Sequence, residues 1–205
     1  RARNMGLIVD IVPNHVGVDD PQQNAWWADV LRNGRSSPYA SYFDIDWDLD
    51  PEGRIVLPVL GSDGDATPPG YPPDGHFKAI GWRNGICGYR RFFSITSLAA
   101  LRQEDRAVFD ATHAEVKRWF DEAVVDGLRI DHPDGLSDPA GYLAWLRDLV
   151  GPQAWIVVEK ILAVDEALEP TLRVAGTTGY DALREIGGLF VDPAGKRALT
   201  DLVES

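Results

Sequence analysis

Gly127-Leu128-Arg129-Ile130-Asp131-His132-Pro133-Asp134-Gly135-Leu136 reads as a short buried strand, Gly127 to Ile130, running straight into a polar, turn-rich segment. Arg129 and Asp131 are two residues apart, so in an extended chain their side chains share a face. A guanidinium favours the charged form of a neighbouring carboxylate, which a nucleophile requires. The same pair is equally a salt bridge closing a strand end. Asp131, His132 and Asp134 together concentrate three acid/base groups at that end.

Downstream, Ser137-Asp138-Pro139 predicts a helix start, with a capping side chain followed by proline in the first turn. Tyr142, Trp145, Leu146 and Leu149 fall on its inner face, and Gly151-Pro152 ends it. Ala154 to Lys160 is then a second buried strand, Ala-Trp-Ile-Val-Val-Glu-Lys. One helical crossover separates Asp131 from Glu159, so the two strands are expected to be parallel neighbours with both carboxylates at one end. Beyond it the pattern predicts a weak helix over Glu166 to Leu172, a strand-to-loop transition over Val174 to Asp181 and a terminal helix opened by Asp192-Pro193. Upstream, Val108, Thr112, Val116, Trp119, Phe120 and Ala123 form the stripe of one long helix from Glu104 to Ala123.

Met5 to Val12 is a near-continuous apolar run broken only by Asp10, the signature of a parallel strand buried on both faces. Pro13, Asn14 and His15 end it. Polar residues at strand ends build the catalytic face of an α/β barrel. Asp10 is also readable as a buried structural acceptor, and His15 as a satisfied loop histidine. From about Val16 to Leu101 helical periodicity largely lapses, so an inserted subdomain is expected. It holds a short helix near Gln22 to Asn33, weak strands over Arg54 to Leu60 and His76 to Ile80, and aromatic residues expected to form a small core. The acidic run Asp44 to Asp50 lacks the glycine and terminal glutamate of a calcium loop and is expected to be a solvated turn.

A formal net charge of -12 argues against a nucleic-acid partner, which needs a basic face. It suits a neutral, polyhydroxylated or cationic ligand. No run approaches a membrane span. The single cysteine, Cys87, demands no oxidising compartment, so a cytoplasmic setting is expected. No metal site or cofactor is expected. Neither a starting methionine nor a complete final helix is present, and the chain is expected to be a fragment.

Two carboxylates at the open end of a parallel barrel suit glycosidic-bond chemistry, one attacking the anomeric carbon and one protonating the departing oxygen. The apolar run before Glu159 favours a protonated acid there, and Arg129 an ionised Asp131.

Asp10-Ile11-Val12-Pro13-Asn14-His15, Gly127 to Asp131 and Glu159-Lys160-Ile161-Leu162 resemble, in order, three conserved regions of the α-amylase superfamily, glycoside hydrolase family thirteen. Tyr89 to Phe93, Leu98 to Arg102 and Gly176 to Asp181 are similar to the branch that isomerises maltooligosaccharides. The resemblance implies a partial (β/α)8 barrel of about strands 3 to 6. Residues 1–17 would hold strand 3 and its loop, 18–101 the insertion, and 102–205 the following β/α units. It implies Asp131 as nucleophile, Glu159 as general acid/base, Arg129 as the nucleophile's partner, and Asp10 and His15 as contacts to the attacked glucose. His132 and Asp134 are assigned to the acceptor glucose. The implied reaction moves a reducing-end α-1,4 linkage to an α,α-1,1 linkage. A hydrolase, a glucanotransferase or an inactive saccharide-binding fragment are the alternatives. The family's third catalytic acid, on the seventh strand, has no counterpart here, so the chain alone is expected to be inactive and marginally stable.

Overall fold

The computed structural model describes residues 5–64 and 67–204; Arg1 and Ser205, the expected outer bounds of the first and last units, lie outside them. The chain opens with β1 (Ile8–Ile11) and, directly after Pro13 and Asn14, β2 (His15–Gly17). The long middle stretch forms α1 (Ala25–Asn33), β3 (Ile55–Leu60), β4 (Phe77–Gly81) and β5 (Leu98–Ala100). Then come α2 (Arg106–Thr112), α3 (Ala114–Asp121), β6 (Gly127–Ile130), α4 (Pro139–Val150) and β7 (Trp155–Val158). Strand β8 (Gly176–Thr177) and helices α5 (Tyr180–Gly188) and α6 (Lys196–Val203) follow.

The central sheet is parallel and open, in the order β1-β6-β7-β8. Its middle strands carry Leu128, Ile130, Ile156 and Val158, each at most 1% exposed. Tyr142, Leu143 and Leu146 of α4 and Phe109 of α2 cover them. Each such side chain contributes about 1.5–3 kcal/mol by leaving water, which is why this layer fixes the strand ends. Helix α4 starts as expected: the Asp138 carboxylate accepts the Gly141 N–H at 2.9 Å, Pro139 occupies the first turn, and Gly151 at φ 85° stops it.

The middle stretch has its own core of Trp27, Val30, Leu31, Phe43, Ile55, Leu57 and Tyr89. The two weakly signalled strands are real and pair in parallel as β3 and β4. Strands β2 and β5 form a separate antiparallel ribbon, His15 facing Ala100 and Gly17 facing Leu98. That ribbon ties the start of the middle stretch to its finish.

Several expectations need correction. β1 is not buried on both faces: it is the sheet's edge, and Leu7, Ile8 and Val12 are 51%, 45% and 46% exposed. The predicted helix over Glu104 to Ala123 is two helices. Thr112 Oγ1 turns back on the Val108 and Phe109 carbonyls, and His113 leaves helical geometry at φ -103°, ψ 6°. No α-helix spans Glu166 to Leu172, where Pro170 starts one 3-10 turn instead. The strand-to-loop transition expected over Val174 to Asp181 is present as β8 and a short turn, and α5 begins within its last two residues, at Tyr180. Asp44, Asp46 and Asp48 are exposed as anticipated, but the Asp50 side chain is only 2% exposed and sits between Arg54 and Lys78. Hydrogen bonding from Arg54 holds that carboxyl below its ordinary pKa.

Candidate active site

Register explains the site. β6 and β7 run side by side from Gly127↔Trp155 to Ile130↔Val158, so Asp131 and Glu159 each stand one residue past adjoining strand ends. Backbone bonds continue through both: Asp131 N–H donates to the Ile11 carbonyl at 2.9 Å, and Glu159 N–H to that of Ile130 at 2.8 Å. β1 lies on the other side of β6, with Asp10 opposite Arg129.

Arg129 joins the three acids. Its Nη1 donates to Asp10 Oδ1 and Oδ2 at 2.9 and 3.1 Å and to Asp131 Oδ1 at 2.5 Å. Its Nη2 lies 3.4 Å from Glu159 Oε1. Burial disfavours the guanidinium charge, but the bonds to Asp10 and Asp131 outweigh that, and the Arg129 pKa is raised. Asp10 is therefore an exposed partner of Arg129, its side chain 59% exposed, rather than a buried acceptor. Glu159 has no apolar pocket: besides Arg129, its Oε2 accepts the His132 N–H at 3.2 Å and its Oε1 the Tyr180 hydroxyl at 3.4 Å.

Two strand ends are tied together by Asn14, which is 3% exposed. Its Nδ2 donates to the His132 carbonyl at 3.2 Å, fixing which way the amide faces. Asn14 Oδ1 then meets His15 Nδ1, and since a carbonyl oxygen only accepts, Nδ1 carries the proton. His15 Nε2 is left as an acceptor. Burial lowers the His15 pKa, with the Asp131 charge opposing and His132 assisting, so the ring is neutral at neutral pH.

His132 adopts the left-handed conformation, φ 43°, ψ 57°, unusual for a side-chain-bearing residue. That twist aims its N–H at Glu159 and its carbonyl at Asn14. Phe92, from the middle stretch, stacks on the His15 ring at 4.4 Å and meets the His132 ring edge-on at 5.2 Å. Phe93, itself at φ 52°, lies 5.5 Å from His132. Asp134 faces away from the three acids toward Lys160, whose Nζ lies 3.1 Å from Asp134 Oδ2 and 3.1 Å from Glu166 Oε1. Bonds to Asp134 and then Glu166 raise the Lys160 pKa. Arg90 reaches in from the middle stretch, donating to Asp44 Oδ2 at 3.0 Å, the Leu101 carbonyl at 3.2 Å and the Gly135 carbonyl at 3.4 Å.

The structure thus gathers Asp10, Arg129, Asp131 and Glu159 directly, brings His15 and His132 beside them through Asn14 and Phe92, and sets Asp134 on the flank. Asn14, Phe92, Arg90 and Tyr180 escaped the sequence reading as individual contributors. Their only signal was position, within or beside segments already singled out. Among the described residues, no group of three or more His, Cys, Asp or Glu is arranged to hold a metal ion, and no helix is long and apolar enough to cross a membrane.

A parallel sheet with clustered carboxylates at its strand ends is the arrangement of the α-amylase-family enzymes. A debranching enzyme from Nostoc punctiforme, 22% identical, shares this fold with a TM-score of 0.61 over 87% of this chain and 31% of its own. The chain matches no protein-family model. Similarity to maltooligosyltrehalose synthases is much higher. The structure of that enzyme from Arthrobacter ramosus is 46% identical with a TM-score of 0.89, covering 99% of this chain and 30% of the other. A putative maltooligosyl trehalose synthase of Mycobacterium tuberculosis is 64% identical over 100% of this chain and 30% of its own length. The chain therefore resembles maltooligosyltrehalose synthase from end to end while spanning under a third of these relatives, consistent with a segment of their catalytic domain.

Proposed function

We propose that this chain supplies the nucleophile and the general acid/base of a maltooligosaccharide glucosylmutase that forms trehalose ends. One observation carries the reading: Asp131 and Glu159 follow adjoining parallel strand ends, and the Arg129 guanidinium reaches both. In this reading an Asp131 oxygen attacks C1 of the penultimate glucosyl unit, and the bond from C1 to O4 of the reducing-end glucose breaks. Glu159 gives its proton to that O4. The released glucose stays, turns, and presents its anomeric hydroxyl to C1. Glu159 takes back the proton as the Asp131 ester breaks, leaving an α,α-1,1 linkage with retention at C1. No water is consumed, so the net change is an isomerisation.

Arg129 orients the nucleophile, Asp10 and the Nε2 of His15 receive hydroxyls of the attacked glucose, and His132 and Asp134 border the acceptor glucose. The names of the similar enzymes support the trehalose-forming reaction. The four parallel strands then correspond to strands 3 to 6 of a (β/α)8 barrel. Residues 18–101 form an insertion after strand 3, between a 1–17 unit and a 102–205 unit.

Incubation of the full-length protein that contains this segment with maltopentaose, following reducing ends together with chain length, tests the proposal. Loss of reducing ends at constant length is the expected result. A gain of reducing ends would mark a hydrolase, and redistribution of lengths a glucanotransferase; either would overturn it.

A further inference from the structure

Asp19, Pro69, Tyr71, Trp82, Thr96 and Ser97 line an open cavity of about 490 Å³ that the reading above leaves unused. It lies at the far end of the ribbon that starts at the candidate site. His15 and Ala100 pair at the near end, and Val18 N–H donates to the Ser97 carbonyl at 2.8 Å at the far end. Three residues of strand separate His15 from Val18, about 10 Å. A chain bound at the candidate site and laid along the ribbon reaches this cavity.

The lining suits a sugar. Trp82, with the Arg83 guanidinium 4.9 Å from its ring centroid, remains 57% exposed. A broad, fixed indole face accepts the C–H face of a pyranose. Among the described residues, the Asp19 carboxylate and the Tyr71 and Ser97 hydroxyls have no hydrogen-bond or ion-pair partner. They offer an acceptor, a donor and a group that does either, as vicinal hydroxyls require. Burial, then the Asp19 charge, raises the Tyr71 pKa, so the phenol keeps its donor proton. The larger cavity over β3 and β4, about 640 Å³, differs: its Asp50, Arg54 and Lys78 are already paired with one another.

We infer that the Asp19-Tyr71-Trp82 cavity is a remote subsite for the non-reacting part of a maltooligosaccharide. The inference rests on the saccharide reading above and adds a chain-length preference to it.

Calorimetric titration of the full-length protein that contains this segment with maltotriose and maltoheptaose tests it. Trp82→Ala should weaken maltoheptaose binding about fivefold to tenfold, leaving maltotriose within about twofold. Asp19→Ala should act in the same direction, and Trp82→Phe, which keeps a stacking face, should hold maltoheptaose within about threefold of wild type. Unchanged maltoheptaose affinity in Trp82→Ala and Asp19→Ala, or an equal loss for both sugars, would overturn the subsite alone. Absence of binding to either sugar by the wild-type full-length protein would overturn the functional reading and this inference with it.

Discussion

Arg129 uses one planar cation to hold Asp10, Asp131 and Glu159, a task that depends on separate donors at fixed angles. A lysine is a single point charge and cannot span the three. In the full-length protein Arg129→Lys is therefore expected to lower kcat/KM on maltopentaose by about a hundredfold; a loss under about fivefold would show that the bridge is dispensable. Asp131→Asn and Glu159→Gln should each cost at least about a thousandfold in turnover if they take the covalent and proton-transfer roles. Rates within about tenfold of wild type would sink the role of that residue. Gly135 is constrained differently. A Cβ there would run into Asn14 Nδ2 and the His132 ring, the two groups that shape the strand-end junction. Gly135→Ala should raise KM and weaken binding while the fold melts within a few degrees of wild type, as calorimetry would report.

Among the elements, the α2–α3 break and the α4 C-terminus carry the informative polar groups. His113 is 3% exposed; its Nε2 meets the Tyr142 hydroxyl at 2.8 Å and its Nδ1 the Phe109 carbonyl at 3.0 Å. Burial lowers its pKa to about 4 against an ordinary 6.5, the Phe109 bond opposing. The folded state thus favours the neutral ring. Its contribution is complete above about pH 6.5 and is lost as pH falls toward 4, because the unfolded chain takes up the proton first. At full size this is roughly 3 kcal/mol. Urea unfolding at pH 7 and pH 4.5 should show stability falling in wild type and a shallower fall in His113→Gln. Arg147, 8% exposed, instead donates to carbonyls of Gly151, Ala154 and Arg173, at 3.1, 2.7 and 2.8–3.0 Å. Removing it strands several acceptors at the base of β7. Arg147→Ala should cost about 2–4 kcal/mol in the same assay, and a loss under about 0.5 would mean water replaces the clamp.

These elements also show what the sequence could disclose. The β6 and β7 strands, their parallel pairing and the acids after them were legible because apolar runs, a capped helix and one crossover length are local signals. The left-handed turn at His132, the Asn14 clamp and the Phe92 stack were not, because each depends on a partner tens of residues or more away. Asp50 looked like part of a solvated turn for the same reason: Arg54 is near in sequence, but the fold that buries the pair is not. The β1 run announced burial that an edge strand does not provide.

At the scale of the molecule, two groups of uncovered apolar side chains stand out among the described residues. Leu7, Ile8 and Val12 line the β1 edge, and Leu183, Leu189, Phe190 and Leu202 of the final helices and their link are 66%, 81%, 86% and 72% exposed. Surfaces of this kind associate or bind apolar dyes. Sedimentation of this chain should show a weight-average mass that rises with concentration, together with strong anilinonaphthalene sulfonate fluorescence. A concentration-independent monomer that leaves the dye dark would contradict these exposures.

Arg90 has a consequence for assembly. Its guanidinium donates to the Asp44 carboxylate and the Leu101 carbonyl, and also to the Gly135 carbonyl beyond Asp131. The turn past Asp131 is consequently held in part by a side chain of the middle stretch. Any change that displaces Arg90 would loosen that turn, so the two cores share one joint beside the carboxylates.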